Sequence, residues 1–282
     1  MIQTITVCGA GTMGAGIAQV AAQSGFQAFL FDINADVLAK AKTGIEKNLS
    51  IAVEKGKMNA DEKAATLSRL KFETDLNNCK CEMAIEAIIE RLDIKQKLFS
   101  QLAEINGNEA ILASNTSSLS ITQIAAQVPF PGRVVGMHFF NPAHLMKLVE
   151  VISGAATDEN IAEATKAVAQ KMGKTVVMAK DSPGFIVNRV ARHYYVESLK
   201  LAEENVADIS TIDSLLENAG FKMGAFKLMD LIGNDINYSV TESLFNSFHY
   251  DPKFRPSRIQ QQKVLAGHLG KKSGKGFYDY FK

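Results

Sequence analysis

A doubly wound α/β sheet carrying a helical-hairpin insertion, followed by an all-helical C-terminal domain, is expected for this 282-residue chain on three grounds. Short apolar runs alternate with amphipathic stretches from the N-terminus to about residue 180. Such alternation implies crossover connections and a largely parallel sheet. A glycine-rich turn, Gly9–Gly14, separates the first apolar run from the first helical stretch. Beyond Asp181-Ser182-Pro183-Gly184 the strand signal fades and helical periodicity runs almost to the tail.

The strands are expected at Ile2–Val7, Gln27–Phe31, Lys71–Phe72, Met83–Glu86, Ala110–Ser114, Arg133–Met137, Leu148–Ile152 and Thr175–Ala179. Several are continuous apolar runs, as strands covered on both faces require. Helices are expected at Met13–Gln23, Asp36–Lys55, Leu92–Ile105 and Asp158–Met172. The stretch from Asp36 to Leu70 is too long for one crossover helix, and Lys55-Gly56-Lys57 reads as a turn within it. It is either a helical hairpin projecting from the sheet or an enlarged solvated crossover. The Pro/Gly punctuation divides the chain into domains at 1–183 and 184–282, with Ser182 or Asp181 able to cap the helix that follows. Further helices are expected at Phe185–Asn205, Ile209–Asn218, Phe226–Leu231, Ile236–Phe248 and Arg258–Ala266.

Composition narrows the function. With a net charge of +1, the chain has no strong overall field to attract nucleic acid or an anionic membrane. No apolar run reaches the roughly 18 residues of a membrane span. A strand signal begins directly after Met1, so no signal or transit peptide is expected. Cys8, Cys79 and Cys81 match neither a disulfide framework nor zinc-ligand spacing, so a reducing cytoplasm and no metal are expected.

Gly9-Ala10-Gly11-Thr12-Met13-Gly14 matches G-x-G-x-x-G between a strand and a helix, the context of a Rossmann-type dinucleotide site. Gly9 permits the tight turn, Gly11 lets a pyrophosphate approach the backbone, and Gly14 lets helix pack on strand. Amides at the helix start then receive the anion. Asp32 stands 18 residues past Gly14 at the end of the next apolar run, where an acid binds a ribose diol and disfavours a 2′-phosphate. The cofactor expected from these residues is NAD.

Three further features concern chemistry. Ser114-Asn115-Thr116-Ser117-Ser118 follows an apolar strand; it can contact a substrate, and it can equally cap the next helix. His138 and Glu150 each lie six residues from His144. If the flanking strands form a hairpin centred there, the two face each other with Cβ atoms about 5 Å apart. A carboxylate so close would orient the imidazole and stabilise its protonated form, giving a general acid/base. Spacing alone favours the bland reading, a structural His beside a surface Glu. Asn188 lies in an apolar run near the start of the second domain and needs a polar partner, either a substrate or a neighbouring loop.

Taken together, Gly9–Gly14, Glu86-Ala87, Glu90, Ser114–Ser118, His138–Pro142, Lys147–Glu150, Asp181–Arg189 and Lys271–Tyr278 resemble the short-chain L-3-hydroxyacyl-CoA dehydrogenases, especially the single-function bacterial 3-hydroxybutyryl-CoA dehydrogenases. The resemblance spans nearly the whole chain. It implies that His138 is the catalytic acid/base and Glu150 its electrostatic partner, and that Ser117 and Asn188 bind the 3-oxygen of an acyl-CoA substrate or hold the active geometry. Asp32, Glu90, Lys95, Ser117, Asn141 and Lys272 would line the NAD site with the glycine loop. It further implies a homodimer through a helical, substrate-binding second domain, and a helical hairpin that helps hold coenzyme A. At one hairpin position where relatives carry a serine against coenzyme A, this chain has Ala41. Related dehydrogenases of free hydroxy acids, and non-catalytic crystallin-like or NAD-sensing relatives, are the alternatives.

Overall fold

The β-rich runs all find partners in one eight-stranded sheet of a computed structural model that describes residues 2–281. In chain order the strands are β1 Thr4–Cys8, β2 Gln27–Phe31, β3 Leu70–Glu73, β4 Met83–Glu86, β5 Ile111–Ser114, β6 Val134–Phe139, β7 Leu148–Ser153 and β8 Thr175–Lys180. Their order across the sheet is β3-β2-β1-β4-β5-β6-β7-β8. All neighbours are parallel except β6 and β7. Strand order reverses at β1, which lies between β2 and β4, so a crevice opens beyond the carboxyl ends of β1 and β4.

The first unit, Met1–Ser182, holds the sheet and α1 Thr12–Gln23, α2 Ala35–Glu54, α3 Ala60–Ser68, α4 Leu92–Asn106, α5 Ile121–Ala125 and α6 Glu159–Lys171. The stretch after β2 resolves into the helical hairpin: α2 and α3 are separate helices joined by a turn in which Gly56 takes φ +65°. Asn59 caps α3 through a reciprocal capping box with Glu62. The hairpin is no free appendage, because Leu38, Ala41, Ile45 and Leu49 of α2 are buried in the sheet's core cluster.

The second unit, Pro183–Lys282, is helical: α7 Val187–Glu203, α8 Ile209–Asn218, α9 Ala225–Ile232, α10 Asn234–Ser247 and α11 Arg258–Leu265. Tyr195, Leu199, Ile212, Phe226 and Met229 form its core. One expectation fails at the start of α7. Its N-cap position is Ile186, with no side-chain cap. Asp181 instead accepts hydrogen bonds from the Ser120 hydroxyl (2.6 Å) and the Thr122 amide (2.8 Å), at the start of α5. Tertiary packing places that carboxylate beside a helix 59 to 61 residues upstream rather than the one that follows.

The C-terminal tail is anchored by a buried carboxylate. Asp230 accepts from the Phe277 and Tyr278 amides (both 2.9 Å), from Asn234 Nδ2 (2.8 Å) and from the Tyr280 hydroxyl (3.1 Å). Gly276 is required there, since a Cβ would stand 2.0 Å from Asp230 Oδ1. Asp230→Ala should leave several donors without an acceptor, at about 1–3 kcal/mol for each that water does not reach. The expected result is a loss of about 3 kcal/mol in urea denaturation of the full chain. An unchanged midpoint would contradict the anchoring role.

Candidate active site

Because β1, β4, β5 and β6 run parallel, the segments that leave their carboxyl ends gather along one edge of the sheet. These segments are the glycine loop, residues 87–91, the Ser114–Ser118 loop and the His138 region.

Gly9 takes φ +101°, and its amide donates to Phe31 O at 2.7 Å. A Cβ on Gly9 would stand 2.5 Å from Ala87 O, and one on Gly14 1.7 Å from Gly9 O, so both positions are closed to side chains. Gly11 is different: a Cβ there meets nothing within 4 Å, and the open space is where a pyrophosphate would approach. Gly11 is also the N-cap of α1 and supplies no side-chain cap, which leaves the Thr12 and Met13 end of the helix to an anion. Asp32 Oδ2 accepts the Ala10 amide at 2.8 Å and Oδ1 the Asn34 amide at 3.0 Å. The carboxylate therefore braces the loop and keeps lone pairs for a diol. A cavity of about 890 Å³ runs past Gly9, Gly11, Asp32, Ile33, Ile88 and Ile89. Ile33 and Ile89 are 86% and 61% exposed, offering apolar walls to a flat ring. These features fit NAD.

His138 and Glu150 are register partners in the antiparallel β6–β7 pair, so the hairpin spacing puts them face to face. His138 Nδ1 lies 2.8 Å from Glu150 Oε2, and the two residues are 5% and 1% exposed. A carboxylate only accepts, so Nδ1 carries the shared proton and Nε2 is the ring nitrogen whose proton can vary. The Phe140 ring packs on the imidazole with centroids 4.6 Å apart. Lys174, whose ammonium is pushed down by burial, holds the β6–β7 connection by donating to Ala143 O (2.6 Å) and Met146 O (2.8 Å).

The Ser114–Ser118 loop is organised by acids rather than by a helix start; the cap of α5 is Ser120. Ser114 donates to Glu86 Oε2 at 2.7 Å. Glu90 Oε1 accepts from the Thr116 hydroxyl, the Ser117 amide (3.2 Å) and the Ser118 hydroxyl (3.0 Å). Burial works to raise the Glu90 carboxyl, but Lys95 and these donors outweigh it and hold the group below its usual range. Its folded pKa being depressed, its stabilisation is present above the ordinary carboxylate range and is lost as pH falls through the lowered value. Asn115 Oδ1 accepts the Phe139 amide at 2.8 Å, tying the loop to the residue after His138.

Of the other expected residues, Asn141 is exposed on the β6–β7 connection and Lys95 is buried in α4. In the second unit, Asn188 is the second residue of α7, and Lys272 lies exposed in a short turn, 2.6 Å from Asp235. Ala41 is 7% exposed; it packs on the core and also lines a cleft of about 300 Å³ with Lys40, Asn48 and His144. Sequence reasoning gave no role to Lys174, and read Asn115 and Thr116 only as part of a polar cluster that could contact a substrate or cap a helix. A polar loop leaving an apolar strand signalled the last two, but their partners lie far off in sequence.

Two family models match the chain: the 3-hydroxyacyl-CoA dehydrogenase NAD binding domain over residues 4–182 and the C-terminal domain of the same enzymes over 184–280. The 3-hydroxyadipyl-CoA dehydrogenase of Escherichia coli is 49% identical over 99% of this chain, which spans 59% of that relative's length. The 3-hydroxybutyryl-CoA dehydrogenase of Bradyrhizobium diazoefficiens is 40% identical, covering 99% of this chain and 96% of its own. The crystal structure of (S)-3-hydroxybutyryl-CoA dehydrogenase from Ralstonia eutropha superposes with a TM-score of 0.96 at 38% identity, covering 100% of both chains. The glycine loop, the acid after β2 and two matched family domains agree that the chain belongs to the 3-hydroxyacyl-CoA dehydrogenase family.

Proposed function

We propose that the protein is an NAD-dependent dehydrogenase that interconverts 3-hydroxybutyryl-CoA, or a similar short 3-hydroxyacyl-CoA, and acetoacetyl-CoA. The observation that carries this reading is the buried His138–Glu150 pair at 2.8 Å, on the sheet edge that also bears the NAD cradle. When bound, NAD would supply the redox chemistry, the exchange of a hydride with C3. His138 Nε2 takes the proton of the 3-hydroxyl in oxidation and gives it back in reduction. Glu150 holds the ring orientation and offsets the positive charge of the imidazolium. Ser117 and Asn188 hydrogen-bond the 3-oxygen in this reading, on the strength of the family resemblance. Glu90, Lys95, Ser117, Asn141 and Lys272 belong to the NAD site on the same ground.

The first unit is the NAD-binding domain in this proposal, and the second the substrate-binding and dimerisation domain of a cytoplasmic homodimer. The second unit exposes Val190, Leu215, Phe221 and Leu265 at 67%, 66%, 52% and 81%, apolar surface that a second copy would cover. Among the described residues no helix is long and apolar enough to cross a membrane.

Steady-state rates with 3-ketoacyl-CoA thioesters of increasing length, using NADH and NADPH, test the assignment. The expected result is turnover with acetoacetyl-CoA and a strong preference for NADH. Asp32→Ala should shrink that preference about tenfold or more, because a hydrogen bond to a charged group is worth about 1.5–3 kcal/mol. An unchanged NADH/NADPH ratio would remove Asp32 from the diol site.

A further inference from the structure

The second unit buries a positive charge with no acid beside it. Arg192 of α7 is 3% exposed, and burial pushes its guanidinium down only to about 10, so it stays charged at neutral pH. Nη1 is committed to α10: it donates to Asn237 O (2.8 Å), Asn237 Oδ1 (3.3 Å) and the Thr241 hydroxyl (2.8 Å). The opposite edge of the guanidinium is uncommitted. Nε is sealed from solvent without a hydrogen-bond partner, and Nη2 makes no hydrogen bond among the described residues. The Tyr195 ring, its centroid 5.0 Å from Cζ, offsets part of the charge. Among the described residues no carboxylate pairs with Arg192. A charge this deep calls for a paired, hydrogen-bonded counter-ion.

Arg192 follows Asn188 by about one turn of α7. Residues at that spacing share a helix face, with Cβ atoms about 5–6 Å apart. A long helical side chain leans back over the turn before it, which sends the guanidinium toward the Asn188 end. An acyl chain whose 3-oxygen is held at Asn188 therefore has a buried cation within reach of its far end. In a six-carbon chain, C3 and the terminal carboxyl carbon are about 4 Å apart when extended.

We propose that Arg192 binds a terminal carboxylate on the acyl chain, so that the protein selects thioesters of six-carbon dicarboxylic 3-hydroxy and 3-keto acids. A carboxylate takes two parallel hydrogen bonds from Nε and Nη2, a fork that an ammonium does not offer. Nη1, held by α10, fixes the plane of that fork. The inference rests on the dehydrogenase reading with Asn188 at the 3-oxygen. It goes beyond that reading, since neither the NAD cradle nor the His138–Glu150 pair distinguishes a carboxylate from a methyl group at the chain end. An acetoacetyl chain ends before Arg192 and leaves the guanidinium unpaired, so it is the poorer substrate. The rival occupant is a water shared by Nε and the equally unpartnered Oε1 of Gln260, whose Nε2 donates to the same Asn237 Oδ1 at 3.0 Å.

Two thioesters of equal length test this on the full chain: 3-ketoadipyl-CoA, and 3-ketohexanoyl-CoA with a methyl end. Steady-state reduction of each by NADH gives the ratio of their kcat/KM values. The unaltered chain should favour 3-ketoadipyl-CoA by about tenfold or more, the usual worth of a hydrogen bond to a charged group. Arg192→Met fills similar space without the charge, and the ratio should fall to within about threefold of unity. Arg192→Lys keeps a donor for Asn237 and Thr241, so it folds even if the methionine variant does not. Lacking the fork, it should retain less than about a third of the ratio. A ratio near unity in the unaltered chain, as the shared water would give, overturns the proposal. So does a ratio undiminished in a folded variant. If the unaltered chain reduces neither of these thioesters nor acetoacetyl-CoA, the functional reading fails; equal reduction of the two is failure of this inference alone.

Discussion

His138→Gln should lower kcat for acetoacetyl-CoA reduction by about 10²–10⁴-fold, the usual range for acid/base assistance. Glutamine has a similar reach, and its amide N–H can still donate to Glu150 Oε2, so the buried carboxylate keeps a partner and the fold is spared. It has no group that exchanges a proton near neutral pH. The loss should therefore fall on kcat while the NADH Kd stays within about twofold, because the glycine loop and Asp32 are untouched. Steady-state and single-turnover rates with a parallel NADH titration check both halves. Near-normal turnover, with the chemical step shown to be rate-limiting, would remove His138 from the acid/base role.

The two loop glycines should fail in different ways when changed to alanine. At Gly14 the new Cβ would stand 1.7 Å from Gly9 O and 2.9 Å from Gly9 C. Neither is a flexible side chain, and Gly9 itself is closed in by Ala87. The backbone of the loop must shift, at a cost of about 1–3 kcal/mol in stability, and the dinucleotide cradle shifts with it. Gly11→Ala meets nothing within 4 Å, and Gly11 has φ −65°, which alanine adopts freely. The free protein should then melt as before. The methyl occupies the space the pyrophosphate needs, so NADH affinity should still fall about tenfold or more. Thermal melts and fluorescence titrations of the pair separate the two causes. A Gly11→Ala variant that binds NADH normally would place the pyrophosphate elsewhere.

The parts of the fold that were legible in the sequence are those set by local rules. Apolar runs alternating with amphipathic stretches gave the strands and crossover helices, because burial on both faces of a parallel sheet forces that pattern. The glycine loop was legible because strand, turn and helix follow one another directly. The facing of His138 and Glu150 could be read because an antiparallel pair preserves symmetry about its turn, here near His144. Spacing could not say whether that pair was working or structural; burial of both residues on the cofactor edge favours the first. What sequence did not reveal is non-local. Glu86 is one acid at the end of an apolar strand and Lys95 one lysine in an amphipathic helix; only the crossover from β4 through α4 to β5 brings them under the serine loop. Asp181 beside Pro183 reads as a cap for the next helix, yet it binds the start of α5 across the fold. Ala41 belongs to both readings, since the same side chain packs on the core and lines a cleft.

The central claim is that a buried His138–Glu150 pair beside an NAD cradle moves the proton of a 3-hydroxyacyl thioester. Its most direct test is the absorbance of NADH after acetoacetyl-CoA is added to the purified chain at micromolar concentration. The account predicts loss of one NADH per thioester reduced, with 3-hydroxybutyryl-CoA as product. NADH that binds, as its fluorescence reports, but is not oxidised by this or longer 3-ketoacyl thioesters would contradict it.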